Sequence, residues 1–267
     1  MAANQKIKFV FFDALFTIVK PRRPIIEQYH RVFIRHHIAG IDESKLGGSF
    51  KKALRELQTE RPAYRSAGKM GKGEDAGEDG GQVRNWWGEV VRRTAVGAGA
   101  DNNQMNERLD DAVTDLLHIF SSKEGYKLVD GAFQTLSALN GELGVKTGLV
   151  SNADLRILKA LDDLGATSLF DPTIISEREG IEKPDRRMWE IACWRAGVEP
   201  GEAAHVGDEY DADVVGALNA GLKSIWYRPV GEPLHRDEDA GKQVPRGAEL
   251  AEHMLDVVEI VKRWNDA

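Results

Sequence analysis

Short apolar runs that alternate with helical patterns are the feature that most limits how this chain can fold. Residues 6–12 (KIKFVFF) form the first run, whose β-branched and aromatic residues are typical of a buried strand. Beyond residue 130 the two patterns alternate, with apolar runs at residues 145–150, 173–176, 203–207 and 223–227 and helical stretches at 154–164, 185–196 and 211–220. Because strands that alternate with helices form parallel βαβ units, we predict an α/β fold with a doubly wound parallel sheet.

A long helical segment interrupts this alternation after the first strand. Apolar residues recur at helical spacing at Ile25, Tyr29 and Phe33, and again within residues 109–117. Between these stripes, residues 66–81 are rich in glycine and charge, which predicts a loop. The predicted domains are a core of residues 1–19 and 129–267 and an inserted helical cap of residues 20–128.

Composition and charge narrow the classes of function. The chain has 267 residues and a formal net charge of −7 at pH 7, and such a surface repels nucleic-acid phosphates. Residues 1–8 contain no apolar signal core, and no stretch approaches the ~20 apolar residues that span a bilayer. Cys193 is the one cysteine, so no internal disulfide can form, as is typical of a reducing compartment. We expect a cytoplasmic or nuclear protein that binds neither nucleic acid nor membrane; its oligomeric state stays open.

Polar residues follow the predicted strands at the points where the strands end. In doubly wound sheets, ligands bind beyond the carboxyl ends of the strands, so these side chains should meet at one edge of the sheet. In chain order they are Asp13 and Thr17, Ser151 and Asn152, Lys183, and Asp208 and Asp213. Their convergence predicts an active site.

Each residue type at this edge has a function in group transfer through a covalent carboxylate. Asp13 is the candidate nucleophile for phosphorus or carbon, and Lys183 would neutralise both this carboxylate and an anionic substrate. Ser151, at the start of a helix, can hold anionic oxygens. Asp208 offers a hard oxygen ligand for Mg²⁺, and Asp213 can hold Lys183 or a metal-bound water.

Four sequence motifs carry a family resemblance. FVFFDALFT, GLVSN, EKPD and HVGDEYDADVVGALNAG resemble, in this order, motifs I to IV of the haloacid dehalogenase superfamily, and together they lie within residues 6–228. The pattern is most similar to the eukaryotic haloacid-dehalogenase-like hydrolase-domain-containing proteins. Four motifs in order, each in the expected strand context, are a specific signal. The resemblance implies a hydrolase with a Rossmann-like core, and it places the helical insert where the family carries its C1-type cap.

The resemblance also implies roles for individual residues. It makes Asp13 the nucleophile, Lys183 its charge partner and Ser151 the phosphate binder, with Asp208 and the backbone carbonyl of Leu15 in contact with Mg²⁺. The further candidates are Thr17 for catalysis, Asn152 and Arg22 for substrate binding, and Asp13 and Asp213 as additional metal ligands. Arg22, at the cap entrance, has the alternative of a solvated hinge. The implied substrate is a small phosphorylated or otherwise anionic molecule.

Leu15 departs from the pattern of the phosphatases in this family, which carry a second aspartate at that position. That aspartate protonates the leaving group and later activates water, and general acid–base help of this kind is worth ~10²–10⁴-fold. Three outcomes are compatible with leucine. The substrate can have a good leaving group, such as an acyl or aryl phosphate; a cap histidine can supply the proton; or the protein binds a phosphorylated ligand or partner without turnover. The histidine candidates are His30, His36, His37 and His118.

Dehalogenation is an alternative because the position of Leu15 is also non-acidic in the 2-haloacid dehalogenases. Their motif I begins Asp-Ala, as Asp13-Ala14 does here, and a halide leaves without a proton. Against this, Asp208 beside Asp13 would repel a haloacid carboxylate unless a metal neutralised the pair. The acidic fourth motif therefore favours metal-assisted hydrolysis of a phosphorylated metabolite.

Overall fold

The computed structural model describes residues 5–64, 81–231 and 239–267. The predicted loop of residues 66–81 lies outside the described residues except for Gly81, the first residue of a helix. The strands are β1 Phe9–Phe12, β2 Val19–Pro21, β3 Tyr126–Leu128, β4 Lys146–Ser151, β5 Thr173–Ile175, β6 Ala203–Gly207, β7 Lys223–Tyr227 and β8 Ala248–Ala251. The α-helices are α1 Ile25–Arg35, α2 Glu43–Glu60, α3 Gly81–Gly97, α4 Asn102–Ile119, α5 Ala132–Ser137, α6 Arg156–Asp163, α7 Ser176–Glu179, α8 Arg187–Ala196, α9 Gly216–Asn219 and α10 Asp256–Asp266.

The chain divides into two compact units. We call them the core unit, Met1–Lys20, Lys127–Ala153 and Leu161–Ala267, and the helical unit, Pro21–Tyr126 and Asp154–Ala160. The core unit contains a six-stranded sheet in the order β5-β4-β1-β6-β7-β8, and every neighbouring pair in it is parallel. The predicted α/β class with a parallel sheet is therefore confirmed.

Strand β1 lies at the centre of this sheet and determines where the motifs meet. Its last residue, Phe12, is in register with Leu149 of β4 on one side and with Val206 of β6 on the other. The residues that follow these three strands therefore come together at one edge of the sheet. Beneath this edge, Phe11, Trp189 and Val150 are fully buried in the apolar core between the sheet and α8.

Strand β6 is followed by a different helix from the one predicted for residues 211–220. The segment Tyr210–Val215 is a π-helix, and only Gly216–Asn219 continues as an α-helix. The widened turn begins with hydrogen bonds from Asp213 N–H and Val214 N–H to the same carbonyl, that of Glu209. This geometry fixes the direction of Asp213 relative to the preceding strand.

The helical unit has its own apolar core. Its largest fully buried side chains come from α1, α2 and α4, namely Tyr29, Phe33, Leu46, Leu57 and Met105. Strands β2 and β3, where the chain leaves and rejoins the core unit, pair as a separate two-stranded sheet. None of the helices in the described ranges is long and apolar enough to cross a membrane.

The helical unit includes a segment that the predicted cap of residues 20–128 left out. Asp154–Ala160 belongs to this unit, although it follows β4 directly in sequence. The Nε1–H of Trp87 donates to Oδ2 of Asp154 at 2.8 Å, and the guanidinium of Arg156 lies 5.0 Å from the centre of the Trp87 ring. These contacts depend on residues far apart in sequence, so helical periodicity could not predict them.

Candidate active site

The candidate nucleophile lies directly beyond β1. The backbone N–H of Asp13 donates to the carbonyl of Val206 at 2.9 Å, so the residue still follows the sheet, and 7% of it is exposed. The chain then turns back, with Phe16 at a φ of 63° and its N–H bonded to the carbonyl of Val19. Within this turn Leu15 forms an isolated β-bridge with Val19.

Lys183 is the cation that organises the site. Its ammonium group has three N–H donors, and the structure provides three acceptors. They are Oδ1 of Asp13 at 2.6 Å, Oδ1 of Asp213 at 2.6 Å and the carbonyl of Val150 at 2.9 Å. Burial alone would lower the pKa of Lys183, but the charges of Asp13 and Asp213 outweigh burial and raise the pKa above its usual value. Lys183 therefore stays charged and fixes Oδ1 of Asp13.

Asn152 makes contacts other than those predicted for it. Its side-chain amide nitrogen donates to the carbonyl of Lys183 at 2.9 Å, and its amide oxygen accepts from the N–H of Lys183 at 2.7 Å. The amide of Asn152 therefore holds the backbone of the lysine, and its role in substrate binding stays a prediction. Sequence alone could not reveal this, because the two residues are joined only by the fold.

Asp213 is fixed from several directions at once. Its Oδ1 accepts hydrogen bonds from Lys183 and from Nε2 of His205 at 3.0 Å, and its Oδ2 accepts from the N–H of Glu209 at 2.9 Å. At Gly207, an added Cβ would lie 2.2 Å from Cγ of Asp213, so this position requires glycine. Burial alone would raise the pKa of Asp213, but the charge of Lys183 and the bond from His205 reverse the shift and lower it.

Asp208 is the most accessible carboxylate of the site. Its carbonyl accepts a hydrogen bond from Nε1 of Trp226 at 2.9 Å, and its Oδ1 accepts one from the hydroxyl of Thr17 at 3.3 Å. Loss of hydration, followed by the charges of Asp213 and Asp13, raises its pKa well above the usual value. Sequence analysis did not single out His205 or Trp226; both lie in apolar strands that give no sign of a polar role.

The carboxylates fit a divalent cation. One oxygen each of Asp13, Asp208 and Asp213 lies within 4.8 Å of the others, and Lys183 is the cation bonded to two of them. Burial raises the pKa of Asp13 as well. When ionised, the three carboxylates carry more negative charge than the single ammonium group of Lys183 compensates. Carboxylate oxygens at this density suit a hard cation such as Mg²⁺. Asp213 already accepts three hydrogen bonds, which makes Asp13 and Asp208 the better ligands.

The remaining predicted residues fall into two groups. Ser151 lies buried at the end of β4, in register with Ile175, at the same sheet edge as Asp13. Arg22 belongs to the helical unit, where its Nε donates to the carbonyl of Lys123 at 2.5 Å. The four candidate histidines also belong to the helical unit; three of them face acidic partners within it, namely His30 with Glu43, His36 with Asp115 and His118 with Glu124.

Comparisons with known proteins agree over most of the chain. Residues 7–221 match the family model described as haloacid dehalogenase-like hydrolase. The haloacid dehalogenase-like hydrolase domain-containing protein 3 of Mus musculus is 31% identical over 255 residues, which cover 96% of this chain and 92% of the mouse protein. A glyceraldehyde 3-phosphate phosphatase of Methanopyrus kandleri is 36% identical over 122 residues, covering 44% of this chain and 51% of that protein.

A solved structure is similar to the whole fold. The defluorinating L-2-haloacid dehalogenase Rha0230 matches with a TM-score of 0.72 at 16% sequence identity, covering 96% of this chain and 95% of that one. At this identity the likeness concerns the fold alone.

Proposed function

Because the chain belongs to the haloacid dehalogenase-like hydrolase family, we propose that it is a Mg²⁺-dependent hydrolase of a small phosphorylated metabolite, with Asp13 as the nucleophile. The observation that carries the proposal is the contact between Lys183 and Asp13, 2.6 Å long, inside a cluster of three carboxylates. A lysine bonded to a buried aspartate orients it and compensates its charge. The cluster has more carboxylates than Lys183 can neutralise, which provides a site for the metal ion.

The proposed reaction has two steps. Lys183 engages Oδ1 of Asp13, which leaves Oδ2 as the attacking oxygen. Oδ2 forms a bond to phosphorus while the bond from phosphorus to the leaving oxygen breaks, and the electron pair goes to that oxygen. Water then attacks the aspartyl phosphate, inorganic phosphate departs, and the carboxylate of Asp13 is restored.

The proposed ligands of Mg²⁺ are the carboxylates of Asp13 and Asp208 and the backbone carbonyl of Leu15, with Asp213 mainly the counter-ion of Lys183. A bound Mg²⁺ would compensate negative charge on the phosphoryl oxygens. Thr17 holds the carboxylate of Asp208 in place through its hydroxyl. Ser151 is proposed to bind the phosphoryl group at the end of β4.

Leu15 limits the substrates that we propose. Since leucine cannot protonate a leaving alkoxide, the preferred substrates are acyl or aryl phosphates, whose leaving groups need no acid. The Methanopyrus kandleri relative is named for a phosphatase activity on glyceraldehyde 3-phosphate, which supports phosphate chemistry as the general class.

Dehalogenation is the second candidate, and Leu15 is the observation that favours it. A halide leaves without a proton, so the missing acid is no handicap. The carboxylates of Asp208 and Asp213 beside Asp13 would nevertheless repel the carboxylate of a haloacid, because like charges interact strongly in a buried site. We therefore place phosphate hydrolysis first.

The test is to assay acetyl phosphate and p-nitrophenyl phosphate with Mg²⁺ and with EDTA, and to assay halide release from a 2-haloacid in parallel. We expect phosphate release that requires Mg²⁺ and is lost in Asp13→Asn. Asp211→Asn is the matched control, because Asp211 is an acidic residue of the same motif whose side chain is 74% exposed. Activity indifferent to Mg²⁺ or to Asp13→Asn refutes the proposal, and halide release without metal favours the second candidate.

A further inference from the structure

His205 is a fully buried histidine in the middle of β6 that the proposed mechanism does not use. We propose that it is a positioning residue: its neutral ring donates a hydrogen bond from Nε2 to Asp213 and thereby keeps Lys183 on the nucleophile. The inference deepens the proposed function and rests on it, since Asp13 is the nucleophile in both.

A continuous series of short contacts joins His205 to the nucleophile. Nε2 of His205 lies 3.0 Å from Oδ1 of Asp213, the same oxygen accepts from Lys183 at 2.6 Å, and Lys183 donates to Asp13 at 2.6 Å. A carboxylate oxygen has two lone pairs, and these two donors occupy both. Without the histidine donor, only Lys183 and the N–H of Glu209 would hold the carboxylate of Asp213, so the position of Oδ1 and of the lysine bonded to it would be less well fixed.

The surroundings of the ring determine which nitrogen carries the hydrogen. In the described ranges, Nδ1 of His205 has no hydrogen-bond partner. The ring lies edge-on to Trp189, with centroids 5.5 Å apart, and its neighbours in register on the sheet are Phe11 and Ser224. A hydrogen on Nδ1 would therefore be a buried donor without an acceptor. This costs more free energy than leaving Nδ1 without a hydrogen. Only the form with its hydrogen on Nε2 satisfies Asp213.

The position itself has no structural need for a polar ring. His205 lies between β1 and β7 in an apolar core, where burying a polar side chain costs free energy unless it is hydrogen-bonded. Among the described residues, the hydrogen bond of its side chain goes to the carboxylate of Asp213, which holds the lysine.

Three variants separate positioning from packing. His205→Phe keeps a ring against Trp189 but removes the donor, whereas His205→Gln keeps an N–H donor at a similar distance from the backbone. Ser224→Ala is the matched control, because the hydroxyl of Ser224 is buried on the neighbouring strand with no hydrogen-bond partner among the described residues.

With acetyl phosphate and Mg²⁺, we expect kcat of His205→Phe to fall about 10- to 100-fold, the range for losing a hydrogen bond to a charged group, with KM little changed. His205→Gln should recover most of this loss, and Ser224→Ala should match the parent protein.

A second measurement does not depend on activity. Nitrogen NMR of the unsubstituted protein with isotope-labelled histidine, without Mg²⁺, should show His205 protonated at Nε2 alone, and the Nε2 resonance should shift in Asp213→Asn. Protonation at Nδ1, or equal losses of kcat in His205→Gln and His205→Phe when both melt at the temperature of the parent, overturns the inference. If no variant or substrate gives activity dependent on Asp13, the proposed function fails, and the NMR result alone decides the role of His205.

Discussion

Leu15 occupies the turn between the nucleophile and Thr17, where it forms a β-bridge with Val19. Leucine provides no ionisable group at this position. An apolar neighbour favours substrates that leave without a proton, and it adds no further negative charge to a cluster that already holds three carboxylates. We therefore expect the identity of this one residue to influence the range of leaving groups.

Leu15→Asp should raise the hydrolysis of alkyl phosphates. The new carboxyl group can protonate the leaving alkoxide, and such help is worth ~10²-fold or more where the geometry permits it. The measurement is kcat/KM for an alkyl phosphate and for p-nitrophenyl phosphate, with Leu15→Asn as the control of similar size but without an acid. An equal gain in both variants, or none in Leu15→Asp with an unchanged circular dichroism spectrum, would show that the missing acid is not the limiting defect.

Elements differ in how far the sequence predicted them. The strands Ala203–Gly207 and Lys223–Tyr227 agree with the prediction to the residue, because each is a short, mainly apolar run that follows a predicted helix. Strand Ala248–Ala251 was not predicted: it lies at the edge of the sheet, contains a glutamate and is only partly buried. The family resemblance predicted from the four motifs is confirmed over residues 7–221.

The residues of the candidate site also differ in how far the sequence predicted them. The residues at the strand ends could be predicted, because the parallel order of a sheet brings its carboxyl ends together. The contacts that hold them could not: His205 and Trp226 each make a polar contact from a largely apolar strand, and the bonds of Asn152 to the backbone of Lys183 depend on the fold. Their partners are set by register and by the π-helix Tyr210–Val215, which a periodic pattern does not encode.

Helix α6 depends on a buried ion pair at its first turn. Both oxygens of Asp154 accept hydrogen bonds from Arg156, at 2.8 and 2.6 Å, and Oδ2 also accepts from Trp87. Asp154→Asn leaves the guanidinium without a charged partner, which typically costs about 3–5 kcal/mol for a buried pair. Urea unfolding should therefore show a large loss of stability, whereas the exposed Asp162→Asn on the same helix should show almost none.

The difference in stability between the parent protein and Asp154→Asn should also depend on pH. Burial alone would raise the pKa of Asp154, but the charge of Arg156 and the hydrogen bonds lower it below the usual 3.8. A lowered folded-state pKa means that the stabilisation is complete above 3.8 and is lost as pH falls toward the folded value. The gap between the parent and Asp154→Asn should narrow in this acidic range; a constant gap would contradict the assignment.

At the scale of the whole molecule, we expect the carboxylate cluster to oppose folding in the absence of a cation. Asp208 is surrounded by Asp13 and Asp213, and its raised pKa expresses the cost of ionising it there. We expect Asp208→Asn to raise Tm in EDTA by roughly 2–4 °C for each ~1 kcal/mol of relieved repulsion. Mg²⁺ should raise Tm of the parent, because a ligand that binds only the folded state stabilises it, but should have little effect on the variant.

The matched control for this comparison is Asp211→Asn, whose exposed carboxylate is paired with Lys242 outside the cluster. It should respond to Mg²⁺ as the parent does. Differential scanning fluorimetry in EDTA and across a Mg²⁺ titration measures all three proteins. A lower Tm for Asp208→Asn than for the parent in EDTA would show that the carboxylate stabilises the fold even without a cation.

The chain passes between its two units at four points: after residues 20, 126, 153 and 160. Helix α6 accordingly starts in one unit and finishes in the other. To exchange the helical unit between relatives, Asp154–Ala160 would have to be moved together with residues 21–126. A chimera joined only after residues 20 and 126 would separate Trp87 from its hydrogen-bond partner Asp154, and the recipient would contain a helix α6 that does not match its new cap.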